Sequence, residues 1–352
     1  MTIPPGSTIG ILGGGQLGRM IAIAAAQLGY RAHVYSPEAS GPASEVAWAW
    51  TRGRYDDHAA IAAFAGKVDV LTYEFENVDP APLRTLPHLA PPARALDVAQ
   101  DRDSEKAFVA KLGGRPAPWR EVSSRAELDA AMAEIGTPAI LKTRRFGYDG
   151  KGQARIMAPA DAAEAWTAIG EQPAVLEGLI AFEAEFSILV ARGPGGTTVR
   201  WEAVENRHRD GILHISHVPA SALVAAQADE AAALAERIAG ALDYVGVLAC
   251  EFFATAAGPV FNEMAPRVHN SGHWTIEGAV TSQFENHVRA ICGLPLGATE
   301  RTGASVEMVN LLGNEAEDWR TILADARAHL HLYGKTAPHP GRKMGHVTRI
   351  AR

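Results

Sequence analysis

Glu251 and Glu263 each lie six residues from Ala257, in apolar runs (Gly246 to Phe253 and Pro259 to Met264) that flank a loop at Thr255 to Gly258. That spacing predicts a hairpin. Strand side chains alternate with period two, so both carboxylates fall on one face, opposite each other. Like charges facing across a sheet are unfavourable unless one takes up a proton or a cation lies between them. Two carboxylates together with ligand phosphates are a common way to hold Mg2+. A slightly different register leaves two unrelated surface glutamates, and the hairpin alone does not decide between these readings. Arg267, His269, Asn270, Ser271 and His273 follow at once. Small polar and cationic groups beside a metal pair can hold a small oxyanion and stabilise charge developing on it. His269 and His273 also have the i, i+4 spacing of zinc ligands, but Gly272 and the lack of a glutamate after His269 argue against a zinc helix.

Three other stretches carry chemistry. Gly13-Gly14-Gly15-Gln16-Leu17-Gly18 satisfies G-x-G-x-x-G between an apolar run and a helical one, so free N–H groups sit at a helix N-terminus, where phosphate binds well. A dinucleotide site also needs an acidic residue closing the second strand. Ser36 and Pro37 occupy that end and Glu38 lies beyond the proline. The turn is therefore open to a phosphate-bearing substrate, a dinucleotide or a purely structural role. Lys142 ends an apolar strand, and the loop from Gly147 to Gln153 offers backbone N–H groups, a cation and a carboxylate without Walker A spacing. An ordinary surface loop reads the same way. Lys335, Arg342 and Lys343 form a basic island in an acidic chain, either solvated surface or an anion site.

The elements that must position these groups follow from periodicity. Thr8 to Leu12, Arg31 to Tyr35 and Val68 to Tyr73 read as buried strands, with helices from Arg19 to Leu28 and from Asp57 to Ala65 between them. That alternation predicts a doubly wound α/β unit. Pro80, Pro82, Pro87, Pro91 and Pro92 then mark a boundary. A helix is expected over Asp97 to Leu112, stopped by Gly113-Gly114. Strands are expected at Ala139 to Thr143, Gln153 to Met157, Val175 to Gly178 and Glu185 to Ala191, with three more near Val306, Leu330 and Val347. In Ala228 to Leu242, residues Ala231, Leu234, Ala235, Ile238 and Leu242 share one helix face. The chain has 352 residues and a formal charge of −7. Its length calls for two or three domains, and an acidic balance provides no footprint for nucleic acid. Two cysteines, Cys250 and Cys292, are too few for a disulfide framework and fit a reducing compartment. The N-terminus does not read as a signal peptide, and no apolar stretch is long enough to span a membrane, so a cytoplasmic protein is expected.

Taken together these stretches resemble the ATP-grasp superfamily and, within it, the carboxyaminoimidazole ribonucleotide synthetase family. The resemblance rests on Gly13 to Met20, Gln100-Asp101-Arg102, Gly147 to Gln153, Asn262 to Thr275 and Gly341 to His346, in family order along essentially the whole chain. It implies an α/β ATP-grasp fold: an N-terminal doubly wound, Rossmann-like domain over 1–98, the ATP-grasp domain over 99–296 with a lid at about 115–175, and a small β-rich domain over 297–352. It implies ATP- and bicarbonate-dependent carboxylation of 5-aminoimidazole ribonucleotide through carboxyphosphate, in purine biosynthesis, by a homodimer. Mg2+, with Mn2+ as an alternative, would be held by Glu251 and Glu263.

By the same resemblance, ATP contacts are Arg102, Lys142, the loop Gly147, Tyr148, Asp149, Gly150, Lys151, Gly152 and Gln153, the adenine-lining Glu177, Gly178, Leu179 and Ile180, and Glu185, His208, Asn262 and Glu263. Arg267, His269, Asn270 and Ser271 resemble the bicarbonate site, and Asp149 the group that accepts the amine proton. Gln16, Glu76, Tyr148, Asp149, Lys151, Lys335 and Arg342 resemble contacts to the ribonucleotide, with Glu76 preferred over Glu74. Three competing readings stand beside this one. They are another ATP-grasp enzyme (a formate-using glycinamide ribonucleotide transformylase or a biotin carboxylase), a dinucleotide-dependent oxidoreductase, and a catalytically dead scaffold.

Overall fold

The computed structural model describes residues 2–147 and 152–352, which fold around three sheets. The first is parallel, with strands β1 (Thr8–Leu12), β2 (Arg31–Ser36), β3 (Ala49–Arg52) and β4 (Val70–Tyr73) in the order β3-β2-β1-β4. β4 is buried throughout and β1 and β2 nearly so, because α1 (Gln16–Gln27) and α2 (His58–Ala65) cover the sheet as crossovers. The strand order reverses at β1, so a crevice opens beyond the ends of β1 and β4. The Gly13–Gly18 turn and the segment from Glu74 to Glu76 line it.

After the short α3 (Pro80–Leu83), the single helix expected over Asp97 to Leu112 is two: α4 (Ala93–Ala99) and α5 (Arg102–Lys111). Asp101 breaks it. Its backbone is extended (φ −127°, ψ 110°) and its carboxylate accepts from the Ser104 N–H at 3.1 Å, capping a new helix. A small lobe follows, an antiparallel sheet of β5 (Trp119–Val122), β6 (Ala139–Thr143), β7 (Gln153–Ile156) and β8 (Ala174–Gly178) in the order β5-β8-β6-β7. Leu128, Met132 and Trp166, from α6 (Arg125–Ile135) and α7 (Ala162–Ala168), pack with it into a core of their own.

The largest sheet has nine strands. These are β9 (Ala184–Arg192), β10 (Thr198–Arg200), β11 (Val204–Arg209), β12 (Ile212–Val218), β13 (Gly246–Thr255), β14 (Gly258–Ala265), β15 (Ser305–Leu312), β16 (Ala328–Leu332) and β17 (Lys343–Ala351). They run β14-β13-β9-β11-β12-β15-β17-β16, with β10 on β9. Through the β12–β15 pairing the C-terminal strands extend this sheet instead of forming a separate one. On one face α8 (Ala222–Ala241) buries Ala231, Leu234, Ala235 and Ile238, the stripe expected from their spacing. On the other, after α9 (Thr275–Gly278), α10 (Gln283–Ile291) packs between β13 and α1. α11 (Trp319–Leu323) lies against β16. β11 and β12 carry alternating polar and apolar side chains too irregular for periodicity to signal them: Val-Glu-Asn-Arg-His-Arg and Ile-Leu-His-Ile-Ser-His-Val.

Candidate active site

The hairpin places Glu251 directly opposite Glu263. The turn is Ala256-Ala257, so Thr255 pairs with Gly258 and Phe252 with Phe261, which alone would set Glu251 against Asn262. A β-bulge between Glu251 and Phe252 leaves Asn262 unpaired and moves the register on by one. The symmetric count about Ala257 reaches the right pair because a two-residue turn and a one-residue bulge combine. The carboxylates turn toward the cleft, whereas Phe252 and Phe261 pack edge to face in the core behind them. Burial, then the facing Glu263 charge, raises the Glu251 carboxyl to about 8, against the pull of His208 and Lys343. Glu251 lies 3.3 Å from His269 Nε2, and Glu263 3.3 Å from an Arg102 guanidinium nitrogen.

Arg102 also donates to the carbonyls of Thr143 (3.2 Å) and Gly147 (2.9 Å), tying the hairpin to the base of the loop that starts there. Lys142 on β6 meets Glu177 on β8 at 2.9 Å, and the same carboxylate meets Lys106 of α5 at 3.1 Å. Burial opposes charge on Glu177, but the two ammonium groups overcome it and hold the carboxyl down at about 2. Gly178 and Leu179 donate their N–H groups to Pro118 and Pro138 and so run along the cleft edge into Ile180. Glu185 on β9 and His208 on β11 form an ion pair at 2.7 Å. Exposed Phe182 stacks on Phe253 with ring centres 4.5 Å apart, an apolar platform beside these charges. Gly152 accepts from the Thr143 N–H and Gln153 pairs with Lys142 in the sheet. Tyr148, Asp149, Gly150 and Lys151 lie outside the described residues.

Beyond β14 the polar segment turns back on the hairpin. Arg267 pairs with Glu76 at 2.8 Å. The His269 Nδ1 meets the Ser271 hydroxyl at 2.8 Å while its Nε2 faces Glu251. Burial, then the nearby Arg267 and Lys343 charges, takes this imidazole well below its ordinary value, so it is neutral. Asn270 is buried, and its amide exchanges two hydrogen bonds with Asn310, at 3.0 and 2.8 Å. His273 points elsewhere, toward Gln283 and the rings of Phe284 and His346. His269 and His273 therefore do not converge on one ion.

The crevice at the glycine turn is filled by the protein itself. Glu74 accepts from the Gly15 N–H at 2.6 Å. Gly13 has φ +123°, and a Cβ there would lie 2.6 Å from the Glu74 Cγ; one on Gly14 would lie 2.5 Å from Trp50. A dinucleotide pyrophosphate would need that space. Gln16 opens α1 at the edge of this turn. Lys335, whose charge reaches Glu74, donates to the Lys343 carbonyl at 2.7 Å and lies over the Tyr333 ring. Arg342 donates to the carbonyls of Thr336 and Ala337, closing the loop that carries Lys335.

Residues 6–100 match the ribonucleotide synthetase preATP-grasp domain, 107–284 the ATP-grasp domain, and 307–352 the phosphoribosylaminoimidazole carboxylase C-terminal domain. The chain is 48% identical to the N5-carboxyaminoimidazole ribonucleotide synthase of Brucella melitensis over 355 residues, covering 99% of this chain and 98% of that protein. It belongs to the N5-carboxyaminoimidazole ribonucleotide synthase family. Like the rest of that family it is an ATP-dependent, ADP-forming ligase of the ATP-grasp fold. It is similar to a solved N5-carboxyaminoimidazole ribonucleotide synthetase with ADP bound: TM-score 0.95, 43% identity, 99% of this chain and 93% of that one. The Aspergillus clavatus synthase, solved with ADP and 5-aminoimidazole ribonucleotide, is 31% identical with TM-score 0.89, covering 98% and 94% of the two chains. Neither the transformylase nor the oxidoreductase reading is favoured.

Within this family site the structure adds residues that spacing does not reveal. Gln283 grips the His269 backbone from both sides, accepting from its N–H at 2.9 Å and donating to its carbonyl at 2.6 Å. Asn310, from β15, fixes Asn270 and also donates to the Leu213 carbonyl. Glu105 accepts from the Met264 N–H at 2.7 Å, one residue past Glu263. Lys106 joins Lys142 at Glu177. In the sequence Glu105-Lys106 is an ordinary helix pair, and only its burial marks it.

Proposed function

We propose that this protein uses ATP and bicarbonate to carboxylate the exocyclic amine of 5-aminoimidazole ribonucleotide in purine biosynthesis. The observation that carries this is the register-matched Glu251/Glu263 pair with Arg267, His269 and Ser271 gathered at the end of the same strand. Two hard oxygen donors facing each other across the hairpin fit Mg2+ or Mn2+, which would relieve the repulsion between them. Bound there by Glu251 and Glu263, with Asn262 at the bulge between them, the ion would neutralise charge on the nucleotide phosphates.

The chain's own groups do the rest. Arg102 and Lys142 bind phosphate, Glu177 to Ile180 line the adenine, and Glu185 with His208 anchors the nucleotide further along the cleft. Bicarbonate lies against Arg267, His269 and Ser271, while Asn270, held by Asn310, shapes the floor. An oxygen of bicarbonate attacks the γ-phosphorus and ADP leaves, giving carboxyphosphate. The substrate nitrogen then gains the carboxyl group and inorganic phosphate departs. The nitrogen loses its proton to Asp149 of the Gly147–Gln153 loop, which also supplies Tyr148, Gly150, Lys151 and Gly152. Closure of that lid, within about 115–175, excludes water that would hydrolyse carboxyphosphate.

Lys335 and Arg342 receive the ribonucleotide phosphate, with Gln16 at the glycine turn. Glu76, already in the cleft on Arg267, is preferred over Glu74, which serves the Gly15 N–H. Domains at 1–98, 99–296 and 297–352, a homodimer and a cytoplasmic location complete this reading. Among the described residues no helix is long and apolar enough to cross a membrane.

The test is ADP formation from Mg2+-ATP and bicarbonate with and without 5-aminoimidazole ribonucleotide. ADP release that depends on the ribonucleotide is the expected result. Folded protein that binds ATP but ignores the ribonucleotide would retain the fold assignment and remove the substrate.

A further inference from the structure

The cluster of Lys106, Lys142 and Glu177 holds two cations on one carboxylate, all largely buried. Side-chain exposure is 2% for Lys106, 5% for Glu177 and 12% for Lys142. Lysine is almost never fully buried without a reason, because removing an ammonium from water is costly. One cation is enough to neutralise Glu177, so the second demands an explanation.

The two lysines differ in freedom. Lys142 stands at the cleft end of β6, next to the residues that lead into the Gly147–Gln153 loop. Lys106 is sealed inside on α5, a helix fixed at its start by the Asp101 cap and three more contacts. Glu105 binds the Met264 N–H, and Arg102 binds Glu263 and the Gly147 carbonyl. Arg102, which acts on Glu177, and Glu105, which acts on Lys106, are the other charges felt at this cluster, and Arg102 makes its ion pair with Glu263 instead.

We propose that Lys106 is a positioning residue of the nucleotide site: the buried, fixed counter-ion of Glu177, which frees Lys142 to leave that carboxylate and engage nucleotide phosphate. This inference rests on Lys142 belonging to the nucleotide site. Were Lys142 the only partner of Glu177, its departure would strand a buried carboxylate, the costly half of a broken buried pair. With Lys106 in place, Glu177 stays neutralised whether Lys142 points at it or at phosphate. The surplus positive charge is then available to the ligand.

The experiment measures Mg2+-ADP affinity by calorimetry, KM for ATP and for 5-aminoimidazole ribonucleotide, and the melting temperature. The proteins are the wild type, Lys106→Met, Lys106→Gln, Lys106→Arg, Lys142→Ala and the double variant Lys106→Met/Lys142→Ala. Lys106→Met is expected to weaken ADP binding and raise the ATP KM by about tenfold or more, with the ribonucleotide KM unchanged. Lys106→Arg should restore most of the affinity. Because Lys106 acts through Lys142, the double variant should bind ADP about as well as Lys142→Ala alone. A structural salt bridge alone would lower the melting temperature and leave nucleotide affinity where it was, and that result overturns the proposal. So do losses that simply add in the double variant. If Lys106→Met does not fold, Lys106→Gln carries the test. A loss of ADP affinity of about tenfold supports the proposal, and affinity within about threefold of wild type overturns it. A normal ATP KM in Lys142→Ala would instead refute the nucleotide-site assignment itself.

Discussion

Replacing Glu251 by glutamine should make the metal-free protein more stable while destroying its activity. The carboxyl stands at about 8 in the fold against an ordinary 4.5, because it is buried and faces Glu263 across the hairpin. A group whose acidic form is favoured by the fold adds nothing below its unfolded value. Above it, folding loses about 1.4 kcal/mol per pH unit until the folded value is passed. The loss is therefore negligible near pH 4.5, roughly 3 kcal/mol at pH 7, and constant beyond pH 8. Glu251→Gln keeps the shape and removes the charge. With a urea dependence of about 3 kcal/mol per molar for a chain of this size, its denaturation midpoint at pH 7 should exceed wild type by about 0.5–1 M. At pH 5 the difference should shrink to about 0.2 M. The assay is urea unfolding in EDTA at pH 5, 7 and 8.5, alongside ADP release with Mg2+, where the variant should lose about a hundredfold or more. A variant less stable than wild type at pH 8.5, or one that keeps its turnover, would refute the reasoning.

Glu263→Gln should abolish ADP release with the fold intact, as judged by circular dichroism; unchanged turnover would remove the metal assignment. Lys335→Ala should raise the ribonucleotide KM far more than the ATP KM, and equal effects on both would remove the phosphate role of that loop. His287 is fully buried, accepts from the Val247 N–H and meets the Thr72 hydroxyl at 2.9 Å, and burial takes it down to about 4. Its contribution is whole above pH 6.5 and is lost as pH falls toward 4, amounting to about 2 kcal/mol by pH 5. His287→Gln should flatten that part of the stability profile, and identical slopes would show that other groups govern it.

Much of the site is legible in the residues alone. Glu251 and Glu263 stand out as a candidate pair because each lies six residues from the centre of the hairpin, although their register also depends on the bulge at Glu251/Phe252, which spacing does not show. The strands at Thr8–Leu12 and Ala139–Thr143 stand out because short apolar runs are a local signal. The expected helix across Asp97 to Leu112 fails at Asp101, where apolar periodicity continues across a capping aspartate that restarts the helix. The irregular strands β11 and β12 escape because their side chains face a polar cleft as well as a core. The choice between Glu74 and Glu76 also cannot be made locally. They are two residues apart and chemically identical, yet one holds the glycine turn and the other meets Arg267.

The inventory of chemistry and its order along the chain are set before any folding: paired acids, an oxyanion-binding segment, a glycine turn and a basic tail. These are properties of residue type and short spacing, which the chain carries in any conformation. Which of those groups meet depends on long-range packing. Arg102 reaches Glu263 across 161 positions, and Lys106 becomes a sealed partner of Glu177 only when α5 packs against β5 and β14. Burial and partners together assign those roles: burial and the facing Glu263 raise Glu251, while Lys142 and Lys106 hold Glu177 down against burial, because the cost of a charge depends on the water and the partners around it, and these exist only once distant segments have closed on each other.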